Sequence, residues 1–302
     1  MKLLPLSVIG GLALPASVLA QRPDFEFRRE LAAGSRFEIH NIIGDVRLEA
    51  TSGRSVEVTA TKHEGRHGDP EDVEIEAVDI AGGVAICVYY PGSYRSRRDS
   101  DDDRDDRDRR RRNRYRDRDR DACSRSHSRN GNNRNDTRVD FAVKVPADLK
   151  LIAKSVSGDV YGQGLRGDLD LATVSGDLQL SDAEGPVVEA SSVSGNVDLD
   201  RVTAREISAE TVSGDVTFVG NIDPKGVYDF KTLSGDVLVT VPRQPDATLS
   251  AATFSGRFSS DFEVSTDGRR RRNRYNATWG SGGARIDLES FSGDIRIRSG
   301  SR

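Results

Sequence analysis

Hydrophobic and polar residues alternate with a two-residue period along most of the chain, which is typical of half-buried β-strands. Four such stretches lie in the first third of the chain, where glycine-rich turns separate them. They cover residues 37–40, 46–49, 55–60 and 73–78. The pattern favours strands over long amphipathic helices, and it predicts an all-β protein.

From residue 139 onward a short unit recurs, with the pattern hydrophobic-Ser-Gly-Asp-hydrophobic-x-hydrophobic. Asn196 and Arg257 take the place of Asp in two of the seven copies. Successive serines are 18, 19, 19, 21, 21 and 37 residues apart. The serines of the seven copies are Ser157, Ser175, Ser194, Ser213, Ser234, Ser255 and Ser292.

A unit of this length has room for two short strands and two turns, but it cannot bury its apolar face alone. Stacked units would share one narrow core, so the sequence predicts a β-solenoid of repeats of about 19 residues. A β-sandwich of hairpins is the alternative. Strand alternation places Val174, Gly176 and Leu178 on the inward face.

Glycine can bend the chain at each unit, and the polar residue that follows it can hydrogen-bond nearby backbone. These pairs are therefore interpreted as turn residues, and a cation-binding or catalytic row of carboxylates is the less favoured reading. The predicted turn residues are Gly158, Asp159, Gly176, Asp177, Gly195, Asn196, Gly214, Asp215, Gly235, Asp236, Gly293 and Asp294.

The first 20 residues have the pattern of a secretory signal, with Lys2 before an apolar stretch and small residues Val18 and Ala20 before the expected cleavage point. We divide the rest into an N-terminal β-strand region (21–92), an Arg/Asp-rich insertion (93–138) and the repeat region (139–302). No apolar run after the signal is long enough to span a membrane. The expected location is the periplasm or cell envelope, or the medium.

The insertion is almost entirely polar, since residues 94–121 contain 13 Arg and 10 Asp. Such a segment cannot bury enough apolar surface to fold, so we expect disorder. Residues 94–138 contain 17 Arg and 11 Asp, which gives this segment a net charge of +6. Because the whole chain has a net charge of −4, the residues outside the segment carry −10. The heptapeptide RRRRNRY occurs at 109–115 and again at 269–275.

Arginine clusters can bind phosphate or carboxylate groups. An anionic polymer of the envelope or the extracellular space is the candidate partner, whereas nucleic acid is not expected; a solvated linker is the simpler interpretation. The sequence leaves the oligomeric state open. The candidate anion-binding residues are Arg109, Arg110, Arg111, Arg112, Arg269, Arg270, Arg271 and Arg272.

The two cysteines, Cys87 and Cys123, form a candidate disulfide, because an even pair in an exported protein favours a bridge. His63 and His67 match the HExxH motif of zinc hydrolases, but Gly65 and the flanking strands argue against the helix that such a site needs. No cofactor is expected.

The serial Ser-Gly-Asp units, together with 141–147 and 282–286, resemble the bacterial putative-adhesin family of β-strand-repeat proteins, a domain of unknown function. The resemblance covers most of 35–92 and 139–299, and it implies an exported all-β envelope protein without catalytic residues. We therefore expect a non-catalytic binding, adhesin-like or scaffolding role. A polysaccharide-acting enzyme on the flank of a β-helix is the alternative class.

Overall fold

A computed structural model of the chain describes residues 23–90, 123, 135–264 and 274–300. The described residues form 21 strands and one short 3-10 helix, Pro70–Asp72, so the expected all-β class is confirmed. None of their helices is long and apolar enough to cross a membrane. The expected signal, most of the Arg/Asp-rich insertion and both candidate arginine clusters lie outside these ranges.

The first seven strands precede the Ser-Gly-Asp repeat or lead into it. They are β1 (Phe25–Glu30), β2 (Arg36–His40), β3 (Val46–Thr51), β4 (Ser55–His63), β5 (Glu74–Ile80), β6 (Gly83–Tyr89) and β7 (Arg138–Pro146).

Fourteen strands follow through the repeat. They are β8 (Leu149–Ser157), β9 (Val160–Gln163), β10 (Gly167–Ser175), β11 (Leu178–Ser181), β12 (Glu184–Ser194), β13 (Val197–Ser213), β14 (Val216–Gly220), β15 (Val227–Ser234), β16 (Val237–Val241), β17 (Ala247–Thr253), β18 (Phe258–Ser260), β19 (Arg274–Trp279), β20 (Ala284–Ser292) and β21 (Ile295–Ser299).

The strands form two walls that face each other across the core. Wall A has the order β1-β4-β7-β3-β9-β11-β13-β14-β16-β21-β18. Wall B has the order β5-β6-β2-β8-β10-β12-β13-β15-β20-β17-β19. Because the long strand β13 pairs in both walls, all the strands belong to one hydrogen-bonded sheet that wraps around the core.

Pairing is parallel through the middle of both walls, and the described antiparallel pairs lie only at their two ends. In wall B, Leu169 aligns with Val188, Val188 with Ile207, and Ile207 with Tyr228. All four side chains are buried. A parallel step of this kind needs a full crossover, which the chain makes by passing through wall A.

The repeat units do not lie in chain order. β15 pairs with β20, and β17 pairs with the other side of β20, so the C-terminal unit lies between the two units that precede it. At the other end, β2 lies between β6 and β8. Strands of the N-terminal region and of the repeat thus share one core, which includes Phe37, Phe141 and Phe218.

Candidate binding surface

Each Ser-Gly-Asp unit forms the corner at which the chain passes from wall B to wall A, and its glycine lies directly against the glycine of the next corner. A Cβ added to Gly195 would lie 1.9 Å from the carbonyl oxygen of Gly176, and one added to Gly214 would lie 2.2 Å from that of Gly195. A side chain does not fit in that space. Gly195 and Gly214 also have φ angles of 155° and 152°, which favour glycine.

The polar residue after each glycine joins neighbouring corners through a hydrogen bond. The Asp177 carboxylate accepts a hydrogen bond from the Asn196 backbone N–H at 2.8 Å, and the Asn196 side-chain oxygen accepts one from Asp215 N–H at 2.9 Å. We call this row the corner ladder. It runs in the order Asp140, Asp45, Asp159, Asp177, Asn196, Asp215, Asp236, Asp294, Arg257.

A second row of hydrogen bonds, which was not predicted from the sequence, comes from buried Ser and Thr side chains three residues before each glycine. Thr211 donates to the Gly195 carbonyl at 2.8 Å, and Thr232 donates to that of Gly214 at 2.8 Å. The signal was a Ser or Thr that precedes the hydrophobic residue of every unit. The donors are Ser155, Thr173, Ser192, Thr211, Thr232, Thr253 and Ser290.

The corner ladder brings carboxylates close together, and arginines at its two ends offset the repulsion. Arg138 contacts Asp45 at 2.8 Å, and Arg296 contacts both Asp236 and Asp294 at 2.7 Å. The backbone N–H of Arg257, followed by the charges of Arg257 and Arg296, lowers the pKa of Asp294. Near the middle of the ladder the neutral Asn196 interrupts the row of charges.

Replacing Asp177 with alanine should destabilise the protein, because the Asn196 backbone N–H then loses its acceptor. We expect the free energy of unfolding to fall by about 1–2 kcal/mol. Asp177→Asn should cost much less, since an amide oxygen already fills this role at Asn196. Urea unfolding of the two variants checks the prediction; equal losses would show that charge, rather than the acceptor, matters.

The first hydrophobic residue of each unit lies on the outside of the molecule, so the prediction that Val174 faces inward is wrong. The residue after the corner, such as Leu178, is buried as expected. The alternation fails because two consecutive residues, Val174 and Ser175, are exposed before the chain turns at Gly176. The buried Thr173 takes the inward position instead.

These outward residues form a continuous apolar ridge parallel to the stacking direction. Their exposed fractions lie between 43% and 68%, and the rings of Phe254 and Phe291 stack with centroids 4.7 Å apart. Contiguous exposed apolar side chains of this kind are typical of surfaces that contact another molecule. In stacking order, the ridge consists of Val156, Val174, Val193, Val212, Leu233, Phe291 and Phe254.

A groove of about 850 Å³ lies beside the wide end of the ridge, where wall B meets the corners. Leu233, Phe254 and Phe291 form its apolar side, while Glu210 and Lys231 lie along its polar side. Lys231 contacts Asp229, and its Nζ also lies 3.7 Å from the Glu210 carboxylate. The groove therefore combines an apolar strip with opposite charges. The strands that line it are held by the corner ladder and by the row of Ser and Thr hydrogen bonds.

The HExxH residues begin at the end of β4 and continue in a loop, so they do not form a helix. His63 Nε2 lies 3.1 Å from Asp140 Oδ2, whereas His67 Nδ1 lies 3.6 Å from Asp136 Oδ2. The two imidazoles thus contact different carboxylates. Within the described residues, no group of three or more His, Cys, Asp and Glu side chains could hold a metal ion.

Cys87 and Cys123 are joined by a disulfide, with their Cα atoms 5.4 Å apart. Cys87, Ala85 and Tyr89 form a small buried cluster on the outer side of β6, against which Cys123 packs. The bridge therefore attaches part of the insertion to the first strands of wall B.

A protein-family model described as "Toastrack DUF4097" matches residues 125–298. No curated protein matches the chain. Among solved structures, a putative cell adhesion protein from Clostridium sporogenes is 12% identical with a TM-score of 0.35, and the match covers 92% of this chain and 99% of the other. A putative adhesin from Bacteroides fragilis is 8% identical with a TM-score of 0.36, covering 92% and 98%.

Proposed function

The chain belongs to the toastrack DUF4097 family, and from this premise we propose that it is an exported, non-catalytic binding protein of the cell envelope, with an adhesin-like or scaffolding role. We further propose that its two walls form a solenoid of stacked units. The apolar ridge is the single observation that carries the functional proposal.

The ridge supports binding because the fold holds it in place although it contributes nothing to the core. Val212 and Leu233 follow the buried Thr211 and Thr232, whose hydroxyl groups donate hydrogen bonds to the glycine carbonyls of neighbouring corners. Their backbone is thus fixed, and their apolar side chains remain in contact with water. Rigid, exposed apolar side chains bind a partner at a low entropic cost, since little has to be ordered on association.

Export is supported by two independent features of the chain. Residues 1–20 have the pattern of a secretory signal. Cys87 and Cys123 form a disulfide. Disulfides persist in oxidising compartments and are rare in the cytosol. Together these features favour the periplasm or the cell exterior.

Replacing the wide end of the ridge should abolish retention on envelope material. We would coat beads with residues 21–302 and with the variant Leu233→Ser/Phe291→Ser/Phe254→Ser, and measure their retention on purified bacterial envelopes. Retention of the variant should fall at least tenfold, because each substitution removes a large apolar contact. The matched control is Gln179→Ser/Thr217→Ser, two outward residues of wall A.

Equal retention of the triple variant and the wild type would contradict the binding proposal. Steady release of reducing sugar from the envelopes by the wild-type protein would instead support the enzymatic alternative.

A further inference from the structure

We propose that the apolar ridge is a self-association surface, on which a second copy of this chain lies antiparallel to the first. This inference rests on the proposed function, because it names the partner of the same surface. It makes the adhesin-like role homotypic.

The spacing of the ridge matches that of a second copy. Its seven side chains follow one another at the separation of adjacent parallel strands, about 4.8 Å, so the ridge is about 29 Å long. A surface with the same spacing along its whole length matches it side chain for side chain. Another copy of this ridge has that spacing by construction.

The order of side-chain sizes along the ridge favours an antiparallel arrangement. Four valines lie at one end of the ridge, followed by Leu233 and then by Phe291 and Phe254. Parallel pairing would place phenylalanine against phenylalanine at one end and leave a gap between valines at the other. Antiparallel pairing places large side chains against small ones, so two ridges can remain in contact along their length.

A row of charged residues lies beside the ridge and can pair with the same row of a second copy. Strand register aligns Ser191 with Glu210, Glu210 with Lys231, and Lys231 with Glu289. In an antiparallel pair, the two-fold axis lies in the interface and is perpendicular to the ridge. The charged rows of the two copies then lie on the same side of the paired ridges and face each other.

Charge then selects one register. With the axis between Val212 and Leu233, Glu210 of each copy faces Lys231 of the other, which gives two opposite-charge pairs at the centre. A shift by one unit in one direction places Glu210 opposite Glu210 of the second copy, and a shift in the other direction places Lys231 opposite Lys231. Both shifts bring like charges together. In the selected register the like-charged pair, Lys154 with Arg274, falls at the exposed ends, where water screens it.

The same register aligns the ridges themselves. Val212 faces Leu233 of the second copy, Val193 faces Phe291, and Val174 faces Phe254. The strip is narrow compared with stable interfaces, which bury roughly 800 Å² per partner. We therefore expect a dimer that dissociates at about micromolar concentration.

The test is analytical ultracentrifugation of residues 21–302 with the disulfide intact, over a range of concentrations. Wild-type protein should form dimers, and Leu233→Ser/Phe291→Ser should weaken dimerisation at least tenfold. Gln179→Ser/Thr217→Ser should leave it unchanged. Circular dichroism confirms that the variants are folded.

A charge exchange tests the register. Glu210→Lys and Lys231→Glu should each be monomeric, since each places like charges opposite one another in its own dimer. An equimolar mixture of the two should form a heterodimer, because every central pair then joins opposite charges. The contact between Glu210 and Lys231 within one chain cannot explain recovery on mixing.

Self-association through the ridge and binding to envelopes through the ridge are contradicted by different results. A wild-type protein that stays monomeric, or dimers that persist in Leu233→Ser/Phe291→Ser, would overturn self-association through the ridge. If the wild-type protein is monomeric but still needs the ridge for retention on envelopes, the proposed binding function stands and the partner is another molecule. Ridge-dependent binding of the monomer to phosphatidylglycerol vesicles would identify a lipid surface in place of a second copy.

Discussion

Gly195→Ala should lower the free energy of unfolding by about 3–5 kcal/mol, because it combines backbone strain with steric overlap. The residue has a φ of 155°, and its Cβ would lie 1.9 Å from the Gly176 carbonyl oxygen. Either the corner opens or the two units separate. Urea unfolding, or the absence of folded protein on expression, measures the effect.

Two matched variants separate the causes of that loss. Gly82 has a φ of 81° with no atom within 4 Å of the added Cβ, so Gly82→Ala should cost only about 1 kcal/mol from strain. The φ of Gly176 lies outside the left-handed range, but its Cβ would lie 2.2 Å from the Gly158 carbonyl oxygen. Gly176→Ala should cost about 2 kcal/mol from overlap. If Gly195→Ala costs no more than Gly82→Ala, close stacking of the corners is refuted.

Loss of the disulfide should lower the free energy of unfolding by about 3–4 kcal/mol, because the bridge closes a loop of 36 residues in the unfolded chain. Cys87→Ala/Cys123→Ala and chemical reduction should have similar effects in urea unfolding. The reductant should have no effect on the double variant, which serves as the control. An unchanged unfolding midpoint after complete reduction would contradict the prediction.

The strands and the corners could be predicted from the sequence because both depend on local chemistry. Alternation identified the strand at 46–49, which lies within β3, and the strand at 55–60, which lies within β4. Glycine followed by an acceptor identified the corners. The pair Gly44-Asp45 belongs to the same row, since Gly158 packs against Gly44 and Asp159 N–H donates to Asp45. It was missed because Ile43 takes the place of the usual serine.

The outward position of Val174 could not be predicted by alternation alone. In an alternating pattern, a valine is expected to face inward and a threonine outward. Thr173 is buried here because its hydroxyl group donates a hydrogen bond to the Gly158 carbonyl at 2.9 Å. That partner lies in the preceding unit, so the cause is a tertiary contact. Each ridge residue follows a Ser or Thr that is buried by such a contact, so the ridge could not be predicted from the local pattern.

The order of the units depends on long-range pairing, which the local pattern does not encode. β19 pairs antiparallel with β17 at the end of wall B, and β20 then lies on the other side of β17. The gap of 37 residues between Ser255 and Ser292 indicated an interruption but not this insertion. The arginine clusters stay candidate anion-binding residues, since they lie outside the described residues.

The fold requires that the corners stack in the order of the ladder, with the C-terminal unit between Leu233 and Phe254. Double electron–electron resonance tests it through spin labels on Ser157→Cys/Ser292→Cys and Ser157→Cys/Ser255→Cys, in samples diluted with unlabelled protein. Stacking in this order places the first pair five steps apart, about 24 Å, and the second pair six steps apart, about 29 Å. The reverse order of distances, or two distances far from these, would contradict it.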